Sequence, residues 1–456
     1  MWGSPWFFNS LTPGRSHLQQ SFVSTENPSI RDPHPSRRTF VKQSAAAVAA
    51  TTTALNFNAH AAGSDVLRVG LVGCGGRGTG AAEQALTADP NVKLVAMADA
   101  FSDRLESSLK ELQGSSKGSQ VDVPPDRRYV GFDAYKQVID QVDVVLLTST
   151  PHFRPMHMEY AVEKGVHMFV EKPVATDAPG VRAVLKSCED AKKKNLSVVS
   201  GLCWRYYEPR KEAMKRVHDG DIGKIVAVQT TYNSGGVWDP RVTREEVSSD
   251  MEYQMRNWYY YTWLSGDHIV EQAVHAIDTM AWALGDEPPI RCWGSGGRQV
   301  RTEPKYGNIF DHFSIVYDYP NEVRGYHTCR HWRGSAQQVE DFILGADGVC
   351  DVFGKPSGPK ISGPKKWRHR GPKGNMYQNE HNELFAAIRS GKPINNGVYA
   401  ARSTLLAIMG RMSCYTGEVI TWEQALNSKE SLAPAAYAWG AAPEHPIARP
   451  GITKFV

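Results

Sequence analysis

The run Val66-Leu67-Arg68-Val69-Gly70-Leu71-Val72 passes without a break into Gly73-Cys74-Gly75-Gly76-Arg77-Gly78, and this junction constrains the chain more than any other stretch. A short apolar run of this kind suits a strand buried on both faces of a parallel sheet. The glycines satisfy G-x-G-x-x-G, and the helix-forming stretch Ala81-Ala82-Glu83-Gln84-Ala85-Leu86 follows. A second strand, Val92 to Ala98, ends at Asp99, 21 residues beyond Gly78. Glycine permits the tight turn and lets backbone N–H groups approach a pyrophosphate, whose charge the helix N-terminus favours. A carboxylate at the end of the second strand accepts hydrogen bonds from ribose hydroxyls and repels a 2′-phosphate. A lone glycine-rich turn is common, but strand, glycines, helix, strand and acid in this order predict a dinucleotide site, with NAD preferred over NADP. Arg77 lies inside the loop and either contacts phosphate or is a solvated loop residue.

The alternation continues. Val142 to Leu147 is another apolar strand, leading into Thr148-Ser149-Thr150-Pro151-His152, and residues 156–164 read as a helix. His167-Met168-Phe169-Val170 then forms a strand that ends at Glu171-Lys172-Pro173. Parallel sheets of this type bind ligands beyond the carboxyl ends of their strands, so Lys172 stands where a nicotinamide and a substrate would meet. The competing reading of Lys-Pro after a strand is an exposed turn.

A chain of 456 residues is too long for one ordinary domain. With 41% hydrophobic and 22% charged residues its composition is globular, and 52 basic against 48 acidic side chains exclude a strongly basic nucleic-acid binder. Seven cysteines without a Cys-x-x-Cys pair argue against a disulfide scaffold or a cysteine zinc module. Ahead of the glycine loop, residues 1–35 are rich in Ser, Pro, Asn and Phe and read as disordered. Arg37-Arg38 precede an uncharged, Ala-rich stretch from Gln43 to Ser64, which contains the cleavage pattern Ala59-His60-Ala61. That stretch is too polar for a stable membrane span. The order of features resembles a twin-arginine export signal, against the alternative of a cytosolic extension. A periplasmic or other extracytoplasmic location is therefore expected. Removing residues 1–61 leaves 47 basic and 46 acidic side chains, a mature protein that is about neutral.

Gly73 to Gly78, Asp99, Thr150-Pro151 with His157 six residues later, and Glu171-Lys172-Pro173 together resemble the glucose–fructose oxidoreductase / inositol dehydrogenase (Gfo/Idh/MocA) family over about residues 66–425. The resemblance implies an α/β fold: a Rossmann dinucleotide-binding domain (65–200) and an α+β substrate domain with an open, mostly antiparallel sheet (201–425). A C-terminal extension (426–456) would pack on both. Cofactor contacts are implied for Gly73, Gly75, Gly76, Arg77, Gly78, Asp99, Thr148, Thr150, His157, Glu171 and Lys172. Local patterns agree with the second domain: a helix-like Lys211 to His218, strand-like stretches at Lys224–Tyr232, Ile309–Tyr317, Glu322–His331 and Gln338–Leu344, and late helices near 378–389 and 398–415.

The family carries Asp-x-x-x-His-x-x-Asp on a helix of the second domain. Here Glu271, His275 and Asp278 take those positions, in a helix expected to open after Gly266 and to present His268, Glu271 and His275 on one face. Glu271 departs from the family's aspartate by one methylene. The chemistry fits. Oxidising a secondary alcohol removes a hydroxyl proton and a hydride, and a histidine with a pKa near ~6.5 is a competent base. An ammonium stabilises the developing alkoxide. The expected catalytic set is therefore Lys172, His275 and Glu271, with Trp204, Arg205 and His268 binding substrate; the bland alternative is a structural Glu/His pair. No metal site is expected, although His268, Glu271 and His275, or His327, Cys329 and His331, carry suitable ligand types. Trp238, Trp258, Tyr259, Tyr260, Tyr261 and Trp263 either stack on a sugar or fill the core. The Gly/Pro-rich loop 354–374, with seven cations and no acid, is either solvated or an anion contact. The expected function is hydride transfer between a sugar, cyclitol or sugar derivative and a tightly bound NAD, in a homo-oligomer. A redox-neutral, NAD-dependent glycosidase and a non-catalytic sugar-binding protein that retains NAD are the alternatives.

Overall fold

The computed structural model describes residues 65–456; the paired arginines, the Ala-rich stretch and the Ala-x-Ala site lie outside the described residues. Six strands form the first sheet: β1 (Leu67–Val72), β2 (Val92–Asp99), β3 (Arg128–Val130), β4 (Val144–Leu147), β5 (His167–Val170) and β6 (Val198–Ser200). Their order is β3-β2-β1-β4-β5-β6, and every pairing is parallel. The reason lies in composition. Leu71 and Val69 on β1, and all four residues of β4, are buried, so the strands must be covered on both faces. Chain order reverses between β1 and β4, and the crevice at that switch point is where a doubly wound sheet binds ligands.

The second sheet has nine strands. Its members are β7 (Ile225–Ser234), β8 (Arg291–Gly297), β9 (His312–Asp318), β10 (Arg324–His331), β11 (Gln338–Gly345), β12 (Val349–Asp351), β13 (Lys360–Ser362), β14 (Trp367–Arg368) and β15 (Ile420–Thr421). They run in the order β14-β13-β12-β11-β7-β10-β9-β8-β15. Only the β10–β7 pairing is parallel. One face packs on the helices Val274–Ala283 and Gly397–Thr416, with Ile277, Met280, Ile408 and Met412 sharing a core with Ile315, Tyr317 and Ile343. Trp293 and Tyr326 are exposed.

The expected segments are found with shifts of one or two residues at most ends. Two differences are larger. The 354–374 stretch holds two short strands at one end of the sheet, β13 and the edge strand β14, and two of its lysines face acids: Lys360 lies 3.5 Å from Asp351 and Lys365 3.2 Å from Asp221. The helix expected after Gly266 is not continuous. Gly266 and Asp267 both have positive φ (79° and 76°), His268–Glu271 makes one turn, and Ala273 N–H donates to the His268 carbonyl five residues back. That wide turn breaks the α register before Val274.

Two late segments tie the sheets together. The helix Met376–Arg389 packs on the first sheet, with Leu384 and Phe385 in the same core as Leu71 and Phe169. The C-terminal tail crosses between domains: Leu432 N–H donates to Asp177, Gly440 O accepts from Met251 N–H, and Tyr437 and Trp439 pack on Phe132. All seven cysteines are free and buried. No helix among the described residues is long and apolar enough to cross a membrane.

Candidate active site

The glycine loop leaves β1 through Gly73, whose φ of 97° and closeness to the Ser149 backbone leave no room for a Cβ. A Cβ on Gly78 would collide with the Gly73 carbonyl, so the helix Gly76–Ala88 sits against the strand end only because that side chain is missing. Gly75 and Gly76 differ: nothing lies within 4 Å of where their Cβ atoms would be. That open backbone at a helix N-terminus is the cradle a pyrophosphate needs. Thr148 Oγ1 donates to the Gly73 carbonyl at 2.7 Å and steadies the loop from β4. Asp99 accepts from Cys74 N–H at 2.6 Å and Phe101 N–H at 2.9 Å, which fixes its carboxylate at the end of β2. Burial raises its pKa from the ordinary carboxylate value.

A cavity of about 530 Å³ runs from this loop to the second domain. Its wall includes Gly73, Gly75, Gly76, Arg77, Gly78 and Asp99 at one end and Lys172, Glu271 and His275 at the other. Thr148, Thr150, His157 and Glu171 lie along it. Thr150 Oγ1 is buried with no protein partner, an open hydrogen-bonding group on the cleft. His157 is stacked on Tyr135 at 4.2 Å and shares its Nδ1 with Ser149 Oγ at 3.2 Å; burial pushes its pKa down to about 3, so it is neutral.

At the far end three side chains converge. Lys172 Nζ donates to the Glu271 carbonyl at 2.6 Å and to Glu271 Oε1 at 3.0 Å. Both side chains are mostly buried. His275 stacks on the Trp204 indole, with 5.0 Å between centroids and 27° between planes. Its Nδ1 is buried without a hydrogen-bond partner. Burial first, then the charges of Lys172 and Arg210, hold its pKa well below the ordinary histidine value, so the ring is a neutral base.

Other predicted residues are engaged differently from expectation. Arg77 is not free for a phosphate: Glu171 Oε1 accepts from its Nε at 2.5 Å, and Glu380 lies 3.4 Å from Nη2. Arg205 lies outside this cavity in ion pairs with Asp278 at 2.8 Å and Asp286 at 2.5 Å. Trp204 supports His275 from behind. His268, rotated away by the break at Ala273, is buried 4.3 Å from the His331 ring, and both its nitrogens lack partners. The aromatic run is mainly core: Tyr259, Tyr260 and Trp263 are fully buried, and Trp258 reaches the cavity.

Sequence reasoning missed several wall residues. Arg154 is buried and donates to the Pro173 carbonyl at 2.5 Å and the Ser149 carbonyl at 2.7 Å, clamping the Lys172 loop to the end of β4. Its position after Thr150-Pro151, at the start of a helix, was the available signal. Phe101, Arg104, Phe132, Arg241, Met255 and Tyr377 also line the cavity, and no local motif marks them.

Two family models match the chain in succession. Residues 67–200 match the oxidoreductase family, NAD-binding Rossmann fold, and residues 211–351 match the GFO/IDH/MocA C-terminal domain. The chain belongs to the Gfo/Idh/MocA oxidoreductase family. Among curated relatives, a glycosyl hydrolase family 109 protein 1 of Bacteroides fragilis is 32% identical over 37% of this chain and 35% of its own length. An inositol 2-dehydrogenase/D-chiro-inositol 3-dehydrogenase of Halalkalibacterium halodurans is 26% identical over 48% of this chain and 53% of its own. The chain thus spans between a third and about half of the length of these curated relatives. The aldose-aldose oxidoreductase of Caulobacter crescentus, complexed with glycerol, superimposes with a TM-score of 0.61 over 78% of this chain and 99% of its own, at 18% identity. That likeness shows the fold alone.

Proposed function

We propose that this protein is an NAD-dependent oxidoreductase that moves a hydride between a CH–OH group of a sugar, cyclitol or sugar derivative and a tightly held cofactor. One observation carries the reading: the cavity that begins at an open dinucleotide cradle, Gly75-Gly76, ends on Lys172, Glu271 and a neutral His275. The residues present fit the dinucleotide. Gly75 and Gly76 offer backbone to its phosphates, Asp99 faces its adenosine ribose, and the unpartnered Thr150 hydroxyl is free to bind it. NAD supplies a hydride acceptor or donor when bound. His275 takes the hydroxyl proton of the alcohol on its free imidazole nitrogen and returns it in the reverse direction. Lys172, held by Glu271, donates a hydrogen bond to the same oxygen and stabilises negative charge there. Asp99 is the basis for preferring NAD to NADP, and Arg37-Arg38 with Ala59-His60-Ala61 is the basis for proposing export. The exposed Trp293 and Tyr326 on the second sheet support a homo-oligomer.

The test is to purify the protein without added NAD, record its nicotinamide absorbance, and then offer a panel of sugars and cyclitols. Protein that neither carries nor binds NAD defeats the reading. Lys172→Met and His275→Gln should each lower turnover at least 100-fold while NAD stays bound. The glycosidase alternative has only weak support, a match to a glycosyl hydrolase family 109 protein over about a third of either chain. It predicts release of a leaving group with no net NADH.

A further inference from the structure

Behind His275 lies a buried cation that the chemistry above does not use. The Arg210 guanidinium sits 3.9 Å from the centroid of the Trp204 indole, the same ring on which His275 stacks at 5.0 Å, and 4.1 Å from the Phe353 ring. A second route joins the two residues. Arg210 Nη1 donates to Thr279 Oγ1 at 3.2 Å, and that hydroxyl donates to the His275 carbonyl at 3.2 Å. Its ion-pair partner is Asp341, at 3.6 Å and fully buried, whose pKa burial lifts to about 7. Arg210 is itself 3% exposed, and its Nη2 has no partner. A buried, half-compensated arginine is costly, and an apolar side chain would fill the space with less penalty.

We propose that Arg210 is a positioning residue for His275: through Trp204 it holds the plane of the imidazole, through Thr279 it anchors the backbone that carries the ring, and its charge, partly offset by Asp341, disfavours a second positive charge there. This rests on His275 being the base of the proposed reaction. Other groups act on the same ring from every side. Lys172 and Glu271 face it across the cavity, Tyr232 on β7 stacks on Trp204 at 6.2 Å, and the Arg205–Asp278 pair lies one turn along its helix. Lys172 is the stronger neighbour, so Arg210 sets part of the effect.

The proposal is tested on the NAD-loaded protein by following the His275 imidazole through an NMR pH titration, the resonance being assigned by its loss in His275→Gln. Arg210→Met should raise the midpoint by about one pH unit, the effect of removing one unit charge at this range through protein. The acid limb of the pH–rate profile should move up with it. Asp341, lifted to about 7, is already protonated at the pH where His275 titrates, so Asp341→Asn should not raise the midpoint. Arg210→Lys keeps the charge and loses the planar stack, so it should hold the midpoint within about half a unit while kcat falls. A midpoint unchanged or absent in Arg210→Met, or raised in Asp341→Asn, overturns the proposal. Should Arg210→Met fail to fold, Asp341→Asn and Arg210→Lys still decide: a raised midpoint in the first, or a shift beyond half a unit in the second, overturns it. The titration needs no turnover, so a failure to oxidise any sugar would count against the proposed function alone.

Discussion

Replacing Glu171 by Gln tests whether the buried carboxylates beneath the nucleotide loop act as a unit. Glu171 accepts from Arg77 Nε at 2.5 Å and from Lys172 N–H at 3.0 Å, one bond on each oxygen. Gly201 packs so closely on the carboxyl that a Cβ there would lie 2.8 Å from it, so the group has no room to turn. A glutamine keeps the shape but must present an NH₂ to one of those donors. One charge-assisted bond is worth about 1.5–3 kcal/mol, so the change should cost about 2 kcal/mol. Across the roughly 390 described residues that is a fall of roughly 2–3 °C in Tm. Glu380 limits the loss. It lies 3.4 Å from Arg77, and burial and the Glu171 charge raise its pKa well above the carboxylate range. Once Glu171 is neutral, Glu380 ionises more readily and takes over the guanidinium. Glu380→Gln should therefore cost under about 1 kcal/mol alone and about 2 kcal/mol in the Glu171→Gln background. Denaturant titration of the four proteins at pH 7 gives the coupling. Additivity within about 0.5 kcal/mol would refute the argument.

The glycine loop makes a contrasting pair. Gly75→Ala should leave Tm unchanged while weakening NAD tenfold or more by calorimetry, whereas Gly78→Ala should lower Tm even without NAD, because its Cβ meets the Gly73 carbonyl. If Asp99 selects NAD as proposed, Asp99→Ser should lower the ratio of NADP to NAD dissociation constants at least tenfold, and it should cost stability by freeing the N–H groups of Cys74 and Phe101. Acid stability follows from buried histidines. His152, His157 and His327 titrate at about 4, 3 and 3 when folded, against about 6.5 when unfolded. Each folded value is depressed, so its contribution is full above pH 6.5 and is lost as pH falls toward 4. At pH 5 each has lost on the order of 2 kcal/mol. His327→Asn should flatten the fall of Tm between pH 6.5 and 5, and an unchanged slope would contradict this.

The first domain was legible because its signals are local. The glycine loop, Asp99 and Glu171-Lys172-Pro173 each sit within a few residues of a strand end, and strand ends of a parallel sheet point to one crevice. The second domain was legible as elements but not as a surface. Glu271 and His275 were readable because the helical break leaves both facing the cavity, while the same break carries His268 into the core. An i, i+3, i+7 count assumes an unbroken helix, and no residue at 272–273 announces the wide turn. Arg205 was misjudged in its surroundings for another reason. Its partner Asp286 follows the end of a helix 81 residues away, and such a pairing has no local trace. Arg154 and Tyr377 were missed because they reach the cavity from segments whose own patterns read only as ordinary helices.

The C-terminal tail bears on timing. Tyr437 and Trp439 back the aromatic wall formed by Phe101, Phe132 and Phe153, and Gly440 holds the segment that carries Met255 against the cavity. Tyr437, Trp439 and Gly440 follow the glycine loop by more than 350 positions. A growing chain can pair β1, β2 and β4 and expose its glycine loop long before this wall exists. A nucleotide should therefore be held behind this wall only once residues 437–440 are in place. A chain cut short by a few dozen residues would keep every motif of the nucleotide site and lose the means to keep a nucleotide in it.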